Sequence, residues 1–434
     1  MQFSKVAVRA KADVDILVRE VVQEVARGTV PEIVAAAVMV DVMDTVKATV
    51  IDDEATSKKR GIRFSPTLCL THNCNLNCVY CYQKHDQNSR MSLETATRCI
   101  DWIFENVPDD MSGVEIGFIG GEPLLEFDLI KQIIAYTISK KIREHYIFYA
   151  TTNGTVLTDE MKQWLTKHRK LFVLGLSLDG LPETQNHNRS NSYDKIDFDF
   201  FVKTWPEQGI KMTLSEYSLN HLAGNIKHAH NLGFHKIGGV NLFEGNFDWN
   251  KEEYVRTLIL QLQELSDYYV LHDELPLDQM MNRRIEMCEA EKGPPRKWCG
   301  IGTGALFFDV DGTRRPCPFV TPMTFEKNEL DSICASDFSN AEDFIDEQCY
   351  NECYIYPICP HCAGANYLTQ KSFKTRDKSK CRLQKLITLF AADLQGKRLV
   401  KNPDRYSDNV KYNLITAIQK IKSLYLTEFS EYIQ

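Results

Sequence analysis

Three cysteines, Cys74, Cys78 and Cys81, stand in a C-x3-C-x2-C run. Three thiolates on one tight loop suit three irons of a [4Fe–4S] cube and leave the fourth iron open. Zinc is the competing reading, with His72 or His85 as the fourth ligand that a structural zinc site demands. The position after an apolar strand, with the aromatic Tyr80 just before the last cysteine, favours the cluster. The chain of 434 residues holds fourteen cysteines in all. Five lie between Cys69 and Cys99, none between Cys99 and Cys288, and nine between Cys288 and Cys381. The opening residues do not read as a secretory signal. A reducing, cytoplasmic compartment keeps thiols free for metals. Two metal-binding regions flanking a cysteine-free body is the simplest organisation.

The body must position the first triad. Short apolar strands are expected at 66–71, 114–120, 147–152, 172–178, 211–217 and 236–243. Helical spacing fills the intervals at 92–106, 127–143, 159–168, 198–208 and 222–232. Six such β/α units predict a parallel sheet with helices outside, in an α/β fold of open-sheet or partial (β/α)6 barrel type. Functional residues of such sheets gather at the carboxyl ends of the strands. Ahead of this body, residues 1–60 are expected to be a helical extension, with helices at 13–27 and 31–46 and a charged linker. The division continues with 61–285 as the barrel, 286–395 as a loop-rich cysteine domain of short hairpins, and 396–434 as a helical tail. Helical periodicity returns at 382–394 and 409–432.

Motifs recur at the expected strand ends. Gly120-Gly121-Glu122-Pro123 closes the second strand, Thr151-Thr152-Asn153-Gly154 the third, and Ser177-Leu178-Asp179-Gly180 the fourth, with Arg189 shortly after. Together with the cysteine triad they resemble the radical S-adenosylmethionine (SAM) enzymes over roughly residues 65–245. The resemblance implies that the open iron chelates the amino and carboxylate groups of S-adenosylmethionine. One electron then splits the sulfonium, and a 5′-deoxyadenosyl radical takes a substrate hydrogen. It also implies that Gly120, Gly121, Glu122 and Pro123 receive the methionine amino group, with the glycines allowing close backbone approach. Tyr80 would lie against the adenine, Asn153, Ser177 and Asp179 around the ribose and carboxylate, and Arg189 on the carboxylate.

The second cysteine region is equally patterned. Cys299-x12-Gly312-x4-Cys317 is followed by Cys349-x3-Cys353-x5-Cys359-x2-Cys362 and then Cys381. This resembles the SPASM extension, a cap with two auxiliary [4Fe–4S] clusters, although the first and last gaps of the quartet are exchanged. The resemblance assigns Cys349, Cys353, Cys359 and Cys381 to an outer cluster and Cys299, Cys317 and Cys362 to an inner one. Cys288 either completes the inner cluster or leaves an iron open to a substrate thiolate. Cys69, Cys99 and Cys334 are left as buried or surface thiols. The total is three [4Fe–4S] clusters. In SPASM-type sulfatase maturases an aspartate follows the second cysteine of the first element. Here that residue is Pro318, which argues against formylglycine formation.

Most enzymes of this resemblance modify ribosomally made peptides. The expected activity is therefore oxidative crosslinking of a precursor peptide, forming a thioether or carbon–carbon bond. The partners would be an electron donor such as a flavodoxin or ferredoxin, and a possible separate leader-peptide recognition protein. Dehydrogenation of a small alcohol or amine, excision or epimerisation of residues, and a non-enzymatic iron–sulfur or zinc scaffold stay open. The balance of 51 basic and 59 acidic residues gives a net charge of −8, which disfavours nucleic-acid and anionic-membrane partners.

Overall fold

The computed structural model describes residues 64–433 apart from 110, 112, 141, 143–144, 243–246, 291–296 and 304–305. The extension and linker expected at 1–60 lie outside the described residues. Six parallel strands follow in chain order: β1 (Thr67–Thr71), β2 (Val114–Gly120), β3 (Tyr146–Thr152), β4 (Phe172–Leu176), β5 (Ile210–Leu214) and β6 (Ile237–Leu242). β1 to β4 pair in sequence, and β5 pairs with β6. One parallel bridge, Ser177 to Lys211, joins the two groups. This is a mixed α/β fold on a parallel sheet, with the strand succession of an unclosed barrel.

Period-two alternation sets the faces. Leu68, Leu70, Ile116, Phe118, Phe148, Ala150, Leu174 and Leu176 pack outward on Ile100, Ile103, Ile130, Ile133 and Leu165 of the covering helices. The helices begin where polar side chains cap them. Ser92 accepts from Thr95 N ahead of Leu93–Glu105, and Thr158 from Met161 N ahead of Asp159–His168. β5 ends at Leu214, before the expected 217, because Ser215 and Ser218 form a capping box that starts the helix Glu216–Leu219. β4 likewise stops at Leu176. Two helices were not foreseen, Pro182–Asn188 and the long Glu252–Leu271.

The cysteine-rich region is more helical than its weak periodicity predicts. It holds one short hairpin, β7 (Phe307–Phe308) with β8 (Arg314–Arg315), and the helices Lys327–Cys334, Glu347–Glu352 and Ala363–Gln370. β7 pairs in parallel with β1, so this region adds a strand to the barrel sheet. The chain then runs through helices Cys381–Lys401 and Asp408–Glu428. The boundary expected at 395 falls inside the first, whose apolar side chains continue from Leu383 to Leu399. Among the described residues no helix is long and apolar enough to cross a membrane.

Leu386 is fully buried in the main core, in the middle of that helix. Leu386→Ala is expected to destabilise the protein by about 2–5 kcal/mol through the cavity it leaves, read as a lower urea midpoint.

Candidate active site at the carboxyl ends of the strands

The cysteine loop leaves β1 at Thr71 and docks on the end of β2. Gly121 N donates to Thr71 O at 3.1 Å and Glu122 N to Asn73 O at 2.9 Å. A Cβ on Gly120 would lie 2.3 Å from Thr71 O, and one on Gly121 would lie 2.3 Å from Asn73 O. The two glycines are therefore required first by the loop itself, a nearer reason than the ligand approach expected from sequence. Farther along, Asn75 Nδ2 donates to Thr155 Oγ1 and Asn153 Nδ2 to Asn75 Oδ1, at 2.7 and 2.9 Å. Asn77 N donates to Ser190 Oγ at 2.9 Å, and Val79 N to Asn188 O at 3.0 Å. The ends of β2, β3 and β4 thus hold one loop on three sides.

The loop brings Cys74, Cys78 and Cys81 together. Burial first, and then negative charge on Glu122, Cys78 or Cys81, push the Cys74 thiol up to about 11. Two partly buried thiols and one exposed thiol on a single loop fit an iron–sulfur cluster, whose irons would stabilise the thiolates. Of the two histidines that a zinc site would need, His72 donates Nε2–H to Asp309 Oδ1 at 2.7 Å. His85 Nε2 shares a hydrogen bond of 3.4 Å with Cys81 Sγ alone.

Glu122 fits a cationic ligand. Its carboxylate is buried and accepts from Thr152 Oγ1 at 2.8 Å, Asn153 N at 2.8 Å and Leu124 N at 3.1 Å. Burial still pushes its pKa up to about 7, despite those bonds and the charge of Arg189. Pro123 follows as the buried first residue of a short 3-10 turn, Pro123–Glu126.

Asp179 and Arg189 have a different employment from the one expected. Arg189 donates Nε–H to Asp179 Oδ2 and Nη2–H to Oδ1, both at 3.1 Å. Asp179 also accepts from Tyr80 Oη at 2.6 Å, Asn188 Nδ2 at 3.0 Å and Thr213 N at 3.0 Å. Five donors saturate a fully buried carboxylate, so Asp179 braces the cysteine-loop side of β4 and β5. Two guanidinium nitrogens of Arg189 are committed to the same salt bridge. The Tyr80 hydroxyl is pinned, and the guanidinium lies 5.3 Å from its ring centroid. Asn153 is turned to Asn75 and Thr155, and Ser177 is half-buried at the bridge to β5.

The auxiliary cysteines fall into two groups. Cys349, Cys353, Cys359 and Cys381 line one cavity of about 60 Å³, which fits the quartet assigned to an outer cluster. Lys378 Nζ donates to Cys349 Sγ at 2.8 Å. His361 lines the same cavity, held neutral by burial near pKa 3, and its Nδ1 has no hydrogen-bond partner. Cys317 belongs elsewhere; burial pushes it up to about 11, and the groups that raise it further are Cys299 and Cys334. Cys288 is partly buried against the main core, on the side of Cys353 of the outer group. Burial, then Glu289 and Cys353, push it up to about 12.

Sequence reasoning passed over Tyr82, although its place directly after Cys81 was a signal. Its phenol is raised by burial and then by Cys362, Cys317, Cys81 and Cys69, so it stands between the first triad and the inner cysteines. Its ring stacks on Phe319 at 4.3 Å, and a Cβ on Gly364 would meet Phe319 Cδ1 at 2.7 Å. His361 and Lys378 reach their sites only through tertiary structure.

Gly121→Ala is expected to displace the cysteine loop. Anaerobically reconstituted protein should then retain about four fewer irons than the parent, by iron analysis after gel filtration.

The model of the radical SAM superfamily matches residues 68–258. An uncharacterized protein of Methanocaldococcus jannaschii is 26% identical over 251 residues, which are 56% of this chain and 79% of that protein. The radical SAM cyclopropyl synthase TigE of Paramaledivibacter caminithermalis is 27% identical over 141 residues, 29% of this chain and 28% of its own. Among solved structures, anSMEcpe with bound AdoMet superposes with a TM-score of 0.57 at 18% identity, covering 82% of this chain and 98% of that one. Streptococcus suis SuiB bound to its precursor peptide SuiA gives 0.50 at 16% identity, covering 82% and 87%. The likeness to both is one of fold. The three-thiol loop docked at a strand end and the buried carboxylate beside it both lie within residues 68–258, the part of the chain that the radical SAM superfamily model matches.

Proposed function

We propose that this chain is a SPASM-type peptide maturase that binds three [4Fe–4S] clusters and S-adenosylmethionine, and that it installs an oxidative crosslink in a precursor peptide. One observation supports the reading: the three-thiol loop lies beside the buried carboxylate of Glu122 at the carboxyl end of β2, and four further thiols line a separate cavity. Cys74, Cys78 and Cys81 would hold the first cluster, and Glu122 would take the ammonium of the methionine moiety. Tyr80, with its hydroxyl fixed on Asp179, presents a ring face for the adenine. Bound together, cluster and S-adenosylmethionine supply a 5′-deoxyadenosyl radical that abstracts a substrate hydrogen.

Crosslinking removes two hydrogens from the peptide. One leaves as an atom in 5′-deoxyadenosine. The other leaves as a proton and an electron, and the auxiliary cysteine groups provide the electron's exit. The peptide-bound SuiB structure favours a peptide over a small alcohol. Pro318, which has no group to accept a proton, favours crosslinking over sulfatase activation.

The decisive experiment incubates reconstituted enzyme anaerobically with reductant, S-adenosylmethionine and a candidate ribosomally made precursor peptide. The expected result is 5′-deoxyadenosine together with a peptide two hydrogens lighter. 5′-Deoxyadenosine with an unchanged peptide mass would exclude the crosslink. Glu122→Gln is expected to weaken S-adenosylmethionine binding by about 10- to 100-fold, the scale of a charged hydrogen bond. Burial raises the Glu122 pKa, so the group is neutral below about 7 and anionic above it. Affinity in the parent should therefore rise by up to about tenfold per pH unit as pH climbs toward 7, and the Gln variant should lose that slope. Equilibrium dialysis with labelled S-adenosylmethionine reads both.

A further inference from the structure

We infer that Cys334 supplies the fourth thiolate of the inner auxiliary cluster, beside Cys299, Cys317 and Cys362. The inference rests on the iron–sulfur reading above and settles which cysteine completes that set.

Two small apolar nuclei build this part of the chain. One contains Val320, Phe325, Leu330 and Ile333, with Cys317, Phe319 and Phe338 packed on it. The other contains Ile301, Phe344 and Ala363, and again Cys317 and Phe338 pack on it. Each inner cysteine is tied to these nuclei by a neighbour or by itself. Cys317 belongs to both, Cys362 directly precedes Ala363, and Cys299 stands two residues before Ile301. Cys334 directly follows Ile333, as the last residue of the helix Lys327–Cys334. Phe338 closes the arrangement, because a Cβ on Gly302 would lie 2.2 Å from Phe338 Cβ, and Gly302 has φ +69°. The Cys299 turn and the chain leaving Cys334 are thereby held on one ring.

The thiol of Cys334 faces the right segment. Arg315 donates Nη1–H to Cys334 Sγ at 3.6 Å, and Arg315 stands two residues before Cys317. Cys299 and Cys334 are both exposed, while Cys317 and Cys362 are partly buried, as expected of a cluster at a domain rim. Cys288, the sequence candidate, belongs to neither nucleus; it packs against the main core, on the side of Cys353 of the outer set. The bland alternative, a surface thiol held by an arginine, leaves the inner set at three. With Cys334 the inner cluster is closed, so it carries electrons without binding a substrate thiolate.

The test uses the full chain with Cys74, Cys78 and Cys81 changed to Ala, reconstituted anaerobically, so that only auxiliary clusters report. This parent should hold about eight irons, and its reduced EPR spectrum should not change on adding cysteamine as a thiol probe. Adding Cys334→Ala should either lower the count to about four or give a spectrum that shifts with cysteamine. Cys334→Ser, which can ligate through oxygen, should shift the spectrum without sensitivity to the thiol. Cys288→Ala should match the parent. The about four irons of the outer cluster serve as the folding control in every variant. A parent that responds to cysteamine, a Cys334→Ala protein identical to the parent, or a change confined to Cys288→Ala would each overturn the assignment. A parent with no auxiliary iron would overturn the three-cluster reading and this inference with it.

Discussion

The site depends on a backbone-to-backbone contact between the cysteine loop and the glycine pair at the end of β2. Two peptide hydrogen bonds and the absence of two Cβ atoms place the loop. Metal ligands must be fixed by their surroundings, since a thiolate on a mobile loop holds its iron poorly. The dense polar stitching from Asn75, Asn153, Ser190 and Asn188 serves that end.

A second constraint is charge. Asp179 and Arg189 form a buried ion pair that costs desolvation and is repaid only because every carboxylate oxygen is used. The pair is linked to Tyr80, Asn188 and Thr213, and so ties the loop to β4 and β5. Glu122, two strands away, has hydrogen bonds and, among the described residues, no salt-bridge partner. The two buried carboxylates thus differ in how their charge is met: one by a guanidinium, the other by hydrogen-bond donors alone.

Much of this was legible in the sequence. The six strands and five of the covering helices follow from alternation and spacing, which local chemistry enforces. The roles of Asp179 and Arg189 did not follow, because pairing across Asp179, Arg189 and Thr213 joins three segments. The surroundings of Cys288 were hidden for the same reason: its distance in sequence from Cys299 says nothing of the apolar side chains it packs against. The helix Glu252–Leu271 has clear periodicity at Val255, Leu258, Leu262 and Leu265, yet it falls beyond the last β/α unit, where no strand pattern prompted a search. The hairpin and helices of the cysteine region are too short for periodicity to reveal.

The pairing of β7 with β1 joins Thr67 to Phe307 and Leu68 to Phe308. During synthesis at 5–20 residues per second, the first strand would leave the ribosome roughly 10–50 s before its second neighbour. Until then one edge of β1 is an open template for any extended chain nearby. The order of emergence thus makes the nascent barrel most vulnerable to aggregation at the strand that later carries the cysteine loop, and cluster insertion before residue 308 has been made would fix that loop on an incomplete sheet.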